Sequence, residues 1–144
     1  GGRHGFEKLK TMGDIYLAVA GVPKKGERDA AAGIDAALEM RQFIADFNET
    51  RRAHGKFVLD ARIAVHTGSA IGGIVNTEKM SYDLWGHSMN VLQQLLAEAP
   101  AGQVVISDAT RILAGDGYSS TRAGNVNGGS GPDIAYYNVK KRAA

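Results

Sequence analysis

The chain has 144 residues, 44% hydrophobic and 22% charged, with a formal net charge of +2 and no cysteine. Such a length fits one domain with a real core. A small, scattered positive charge argues against nucleic acid or a membrane surface as partner, and the lack of cysteine excludes disulfides, zinc–thiolate sites and thiol nucleophiles.

The opening Gly1–Gly2, without a methionine, reads as the start of a piece of a longer chain. No apolar run reaches the ~18 residues that span a bilayer, and no signal peptide is present. A cytoplasmic domain with no direct membrane contact is therefore expected.

In chain order, Phe6 to Met12 alternates in strand fashion, Gly13–Asp14 predicts a tight turn, and Ile15 to Val22 predicts a buried strand. Together they suggest a hairpin around Gly-Asp. Pro23 to Gly26 is a loop. A long helix follows from Asp29 to about Arg52, with Ala36, Ala37, Met40, Phe43, Ile44 and Phe47 at helical spacing and Gly55 as its stop. "LDARIAVHTG" and "SAIGGIV" suggest a second hairpin turning near Gly68. The segment 82–98 predicts a helix with Met89, Leu92, Leu96 and Ala99 as its buried stripe, closed by Pro100 and Gly102. "QVVIS" predicts a short strand. "DATRIL" predicts a short helix capped by Ser107 or Asp108, and 117–123 leads through the glycine-rich "GNVNGGSGPD" to a last strand, "DIAYYNV". Strands in hairpins with two long crossing helices indicate an α+β sandwich, a sheet with helices on one face.

Several residues could carry chemistry. A Gly-Asp turn is favoured turn chemistry, yet it can also project the Asp14 carboxylate as a hard-cation ligand, since Mg²⁺ takes one or two carboxylates plus phosphate oxygens. Lys10 lies four residues earlier on the same strand face; it could bond a ligand acceptor or simply guard an edge strand. Asn90 and Gln94 stack one turn apart on a helix face, uncharged where surface helices usually place Lys or Glu. Asp83 could cap amides or accept from a ligand amino group. His66 and His87 read as packing or hydrogen-bonding residues, because no Cys/His spacing suits a metal.

"EKLKTMGDIYLAVAGVP", "ARIAVHTGSAIGGIV" and "YDLWGHSMNV", in this order and separation, resemble the class III adenylate/guanylate cyclase catalytic domain. The resemblance runs from about Phe6 to Val139. It implies a ferredoxin-like α+β sandwich with an antiparallel-rich sheet, working as a homodimer or heterodimer with sites at the interface. It also implies that residues 1–144 are a single domain lacking its first strand and helices. By the same resemblance, Asp14 falls on the second of two metal-binding aspartates for two Mg²⁺ or Mn²⁺ ions, the first preceding Gly1. Lys10 and Asp83 fall on the purine-selecting pair, in a combination that favours ATP over GTP. Asn90 falls on the asparagine that orients the ribose. Gln94 stands where the family has the arginine that stabilises the transition state, and "VNGGSG" stands where it often has a lysine-bearing loop. The implied activity is conversion of ATP to 3′,5′-cyclic AMP and pyrophosphate, in intracellular signalling. The two departures raise the alternative of a degenerate regulatory or dimerisation module.

Overall fold

The structure is a computed structural model that describes residues 11–21, 27–67, 78–127 and 131–143. Its elements are β1 (Thr11–Gly21), α1 (Glu27–Ala53), β2 (Val58–Thr67), α2 (Glu78–Glu98), β3 (Val104–Ser107), α3 (Asp108–Ala114), β4 (Tyr118–Val126) and β5 (Ile134–Lys141). The described strands form one mixed sheet in the order β1-β2-β3-β5-β4. β1–β2 and β2–β3 are parallel, where a helix carries the chain across, and β3–β5 and β4–β5 are antiparallel.

The α+β sandwich holds, but its helices cover both faces of the sheet rather than one. Ile63, Val65, Val104 and Ile106 pack with Ile34 and Ala37 of α1, whereas Ala64 and Val105 pack with Val91, Leu92 and Leu95 of α2. Neighbouring strand residues point to opposite faces, so the unbroken apolar runs "IAV" and "VVI" need cover on both sides. Each fully buried Val, Leu or Ile contributes about 1.5–3 kcal/mol of transfer free energy.

The Gly13–Asp14 turn is also corrected. β1 runs continuously through both residues, and the chain takes up its irregularity as a register shift between Thr11 and Gly13. A glycine within a strand commonly marks such a bulge. β1 pairs with β2 in a βαβ connection through α1, and Asp14 is the register partner of Asp60. Residues 69–75, the expected second arm after β2, and 1–10 lie outside the described residues.

α1 ends as its glycine suggests. Gly55 has φ +69°, its N–H donates to the Arg52 carbonyl at 3.0 Å, and Lys56 N–H donates to Arg51 at 2.8 Å. These two bonds are the closing pair of a Schellman motif, which needs a left-handed residue at that position. The helix turns in only Ala37 and Ile44 of its expected stripe. Ala30, Ile34, Ala37 and Ile44 face the sheet, and Met40, Phe43 and Phe47 are exposed. Asn48 lies on the inner side, where its amide both donates to the Leu59 carbonyl and accepts from Leu59 N–H, each at 2.7 Å. It thereby stands in for a strand neighbour at Leu59, ahead of Ile63, where β3 pairing begins. At the far edge, Tyr118 of β4 donates to Asp35 of α1 at 2.6 Å, and Lys141 pairs with the same carboxylate at 3.0 Å.

α3 is capped by Ser107, whose Oγ accepts from Thr110 N–H.

Candidate functional site

α2 positions the polar pair. It begins four residues before the expected segment, at Glu78, and buries Ser88, Val91, Leu92, Leu95 and Ala99. Met89, expected in the buried stripe, is exposed, and Leu96 is half-buried. The inner stripe is thus one residue out of phase with that expectation at its start. Asn90 is exposed on the outer side, with Gln94 half-buried one turn later.

Gln94 has a defined partner. Its Oε1 accepts from the backbone N–H of Asn127, the residue after β4, at 3.1 Å. Asn127 Nδ2 in turn donates to Asp133 Oδ1 at 3.4 Å, across the neck of the glycine-rich segment. The sequence suggested that Asn90 and Gln94 share a face; the tie to Asn127 was not legible, because the two residues are 33 apart in the chain.

α2 runs antiparallel to β2. Arg62, midway along β2 and two residues after Asp60, donates to the Ala99 carbonyl at the end of α2, at 2.6 Å. His66, near the end of β2, lies close enough to His87, in the middle of α2, to feel its charge. Asp14, in register with Asp60, therefore sits at the Ala99 end of the sheet. Along the helix, Asp83 is about 24 Å and Asn90 about 14 Å from Ala99, at 1.5 Å per residue. One chain does not gather Asp14 with Asp83. The side chains of Asp14 and Asp83, and all of Lys10, lie outside what the structure describes.

Beside Asp14's position, Asp60 Oδ2 pairs with Arg62 at 3.5 Å, and its buried Oδ1 has no hydrogen-bond partner among the described residues. The described residues include no group of three or more His, Cys, Asp or Glu side chains suited to a metal ion. No described helix is long and apolar enough to cross a membrane. A groove of about 480 Å³ between the C-terminal half of α1 and the start of β2 is lined by Arg41, Asn48 and Asp60, but not by Asn90 or Gln94.

The ends of β2 and β3 carry a buried polar cluster. His66 Nδ1 and Ser107 Oγ share a hydrogen bond of 2.6 Å, and Thr110 Oγ1 lies 3.2 Å from Ser107 and 3.0 Å from Thr67. The packing role expected of His66 holds. Burial, then the nearby His87, lowers its pKa from 6.5 to about 4. The unfolded chain therefore takes up this proton below pH 6.5, and the folded chain only near pH 4. The stability that comes from keeping His66 neutral is complete above pH 6.5 and is lost as pH falls toward 4. The loss amounts to about 3 kcal/mol. Urea midpoints across that interval should fall more steeply for the native sequence than for His66→Gln; parallel slopes would assign the acid sensitivity elsewhere.

Comparison with known proteins bears on what these residues do. Residues 2–139 match the family model described as the adenylate and guanylate cyclase catalytic domain. With nearly the whole chain matched, this protein belongs to that family. It is 29% identical over 143 residues to an adenylate cyclase of Mycobacterium bovis, covering 99% of this chain and 31% of that protein. It is 32% identical over 112 residues to adenylate cyclase type 9 of Gallus gallus, covering 78% of this chain and 8% of that protein. A membrane guanylyl cyclase of Dictyostelium discoideum is 32% identical over 107 residues, covering 74% of this chain and 7% of that protein. The chain thus spans less than a third of the length of these relatives.

Proposed function

We propose that this chain supplies complementary halves of an adenylate cyclase site, completed when two cyclase domains pair head to tail. The observation that carries this reading is the separation of Asp14 and Asp83 toward opposite ends of the sheet–helix layer. Within one subunit they cannot serve one nucleotide, whereas an inverted partner brings one chain's Asp14 end against the other's Asp83 end. The expected partner is a second copy or a homologous chain, in the cytoplasm.

The reaction is attack of the ribose 3′ oxygen on the α-phosphorus of ATP. A P–O bond forms to close the 3′,5′ ring, the bond to pyrophosphate breaks, and the 3′ hydroxyl proton is released. Lys10 donates to an adenine ring nitrogen, and Asp83 accepts from the exocyclic amine. Asn90 orients the ribose, which raises the population of attacking geometry. Gln94 offers a neutral amide donor near the phosphates. Asp14 would hold Mg²⁺ or Mn²⁺, which when bound neutralises charge on the phosphates. Its setting fits such an ion in part: Asp60 is a second carboxylate at the paired position, and phosphate oxygens and a further ligand must complete the shell.

The test of base selection is direct. Lys10→Glu combined with Asp83→Cys should shift nucleotide preference from ATP toward GTP, by ~1–3 kcal/mol if both hydrogen bonds form in a closed site. Competition of GTP with Mn²⁺–ATP in the full-length protein measures it. Equal affinity of the unsubstituted protein for both would remove the ground for an adenylate cyclase.

One observation favours a second reading, a regulatory or dimerisation module without turnover. Position 94 carries no charge, and its carbonyl is already engaged by Asn127. Such a module binds its partner but forms no cyclic nucleotide from Mn²⁺–ATP.

A further inference from the structure

We infer that Gln94 is a positioning residue, whose side-chain carbonyl anchors Asn127 and sets where the glycine-rich segment leaves the sheet relative to Asn90. The first support is geometric. The 3.1 Å bond to Asn127 N–H joins the C-terminal part of α2 to the residue directly after β4. Gln94 is half-buried, so its rotamer is restrained by packing, unlike that of a free surface glutamine. The flanking residues on the inner face, Val91 and Leu95, are fully buried and hold that turn of α2 against the sheet.

The second support is the construction on the other side of the bond. β4 and β5 pair up to Val126 and Ile134, and the Asn127–Asp133 contact closes the neck just beyond them. The strand pairing fixes the hairpin to the sheet, and Gln94 fixes its neck to α2. Val126 and Tyr136 pack in the same apolar cluster as Leu92 and Leu95, which brings hairpin and helix together below the polar tie.

The chemistry of a primary amide then follows. With Oε1 accepting from Asn127, the amide NH₂ is the remaining polar group of Gln94, and it can only donate. Glutamine therefore serves two purposes at once: an acceptor that locates the loop and a neutral donor suited to an anion. An arginine at this position has no acceptor and cannot make the Asn127 bond. The link to nucleotide binding rests on the function proposed above; the anchor itself does not.

Residue-resolved hydrogen exchange of the protein tests the anchor, with Gln94→Met removing the acceptor and Gln94→Glu retaining it. The Asn127 amide should exchange about fivefold faster in Gln94→Met, as expected for loss of one ordinary hydrogen bond, and stay near the native rate in Gln94→Glu. Rescue by the glutamate separates anchoring from mere space-filling. Unchanged Asn127 exchange in Gln94→Met, or equal acceleration in both variants, would overturn the proposal. Mn²⁺–ATP binding by the unsubstituted protein is measured alongside. Its absence would overturn the cyclase reading, whereas the exchange ratios judge the anchor alone.

Discussion

Gln94→Arg, introduced into the full-length protein, should raise cyclic AMP formation from Mn²⁺–ATP at least about tenfold. Two effects of opposite sign set that figure. An arginine brings a fixed positive charge and a planar fork of donors matched to phosphate oxygens, whereas glutamine brings one neutral donor. A preorganised donor aimed at charge that develops in the transition state is typically worth ~10²–10³ in rate. Against this stands the loss of the Gln94–Asn127 bond, about fivefold in loop order. The gain exceeds the loss, so the net change is upward. Native activity already high, with no rise in the arginine variant, would mean that another cation does this work and that the regulatory reading has no support at position 94.

Asp14→Ala should abolish Mn²⁺-dependent ATP binding and cyclic AMP formation while the domain stays folded. The strand setting of Asp14 makes the second half of this expectation specific. Asp14 and Asp60 are register partners on neighbouring strands, and like charges at paired positions oppose strand pairing. Removing one should leave thermal stability unchanged or slightly raised. An aspartate kept solely for its place in the strand would behave differently, with its loss leaving nucleotide binding intact. Calorimetry of unfolding and Mn²⁺–ATP titration on the same variant distinguish the two.

The elements were legible where local chemistry and pattern agree. α1 shows its end at Gly55, because only a residue at ease with positive φ closes a Schellman motif there. Ser107 as a cap and "VVIS" as a strand are local in the same sense. The face of α1 was not legible. Two stripes at helical spacing run along it, and the one with the larger apolar residues, Met40, Phe43 and Phe47, is exposed. Periodicity establishes that a helix forms; which stripe turns inward depends on the surface it meets. Against the sheet, Ala37 and Ile44 of the expected stripe pack together with Ala30 and Ile34.

The same division applies to pairing and to the site. Gly13–Asp14 has the composition of a turn, but the described strand runs straight through it. The described β1 finds its partner in β2, with Asp14 opposite Asp60, and the glycine becomes a bulge. By itself the sequence determined the residue inventory: the polar, uncharged Asn90 and Gln94 one turn apart, the acid Asp14, and three motifs whose order identifies the family. Only the tertiary structure decided how they are distributed. The antiparallel run of α2 against β2 sends Asp14 and Asp83 toward opposite ends, and the β4–β5 hairpin delivers the Asn127 N–H to the Gln94 carbonyl. The physical reason is range: caps and turns act over three or four residues, whereas these placements follow from packing and hydrogen bonds between segments more than 30 residues apart.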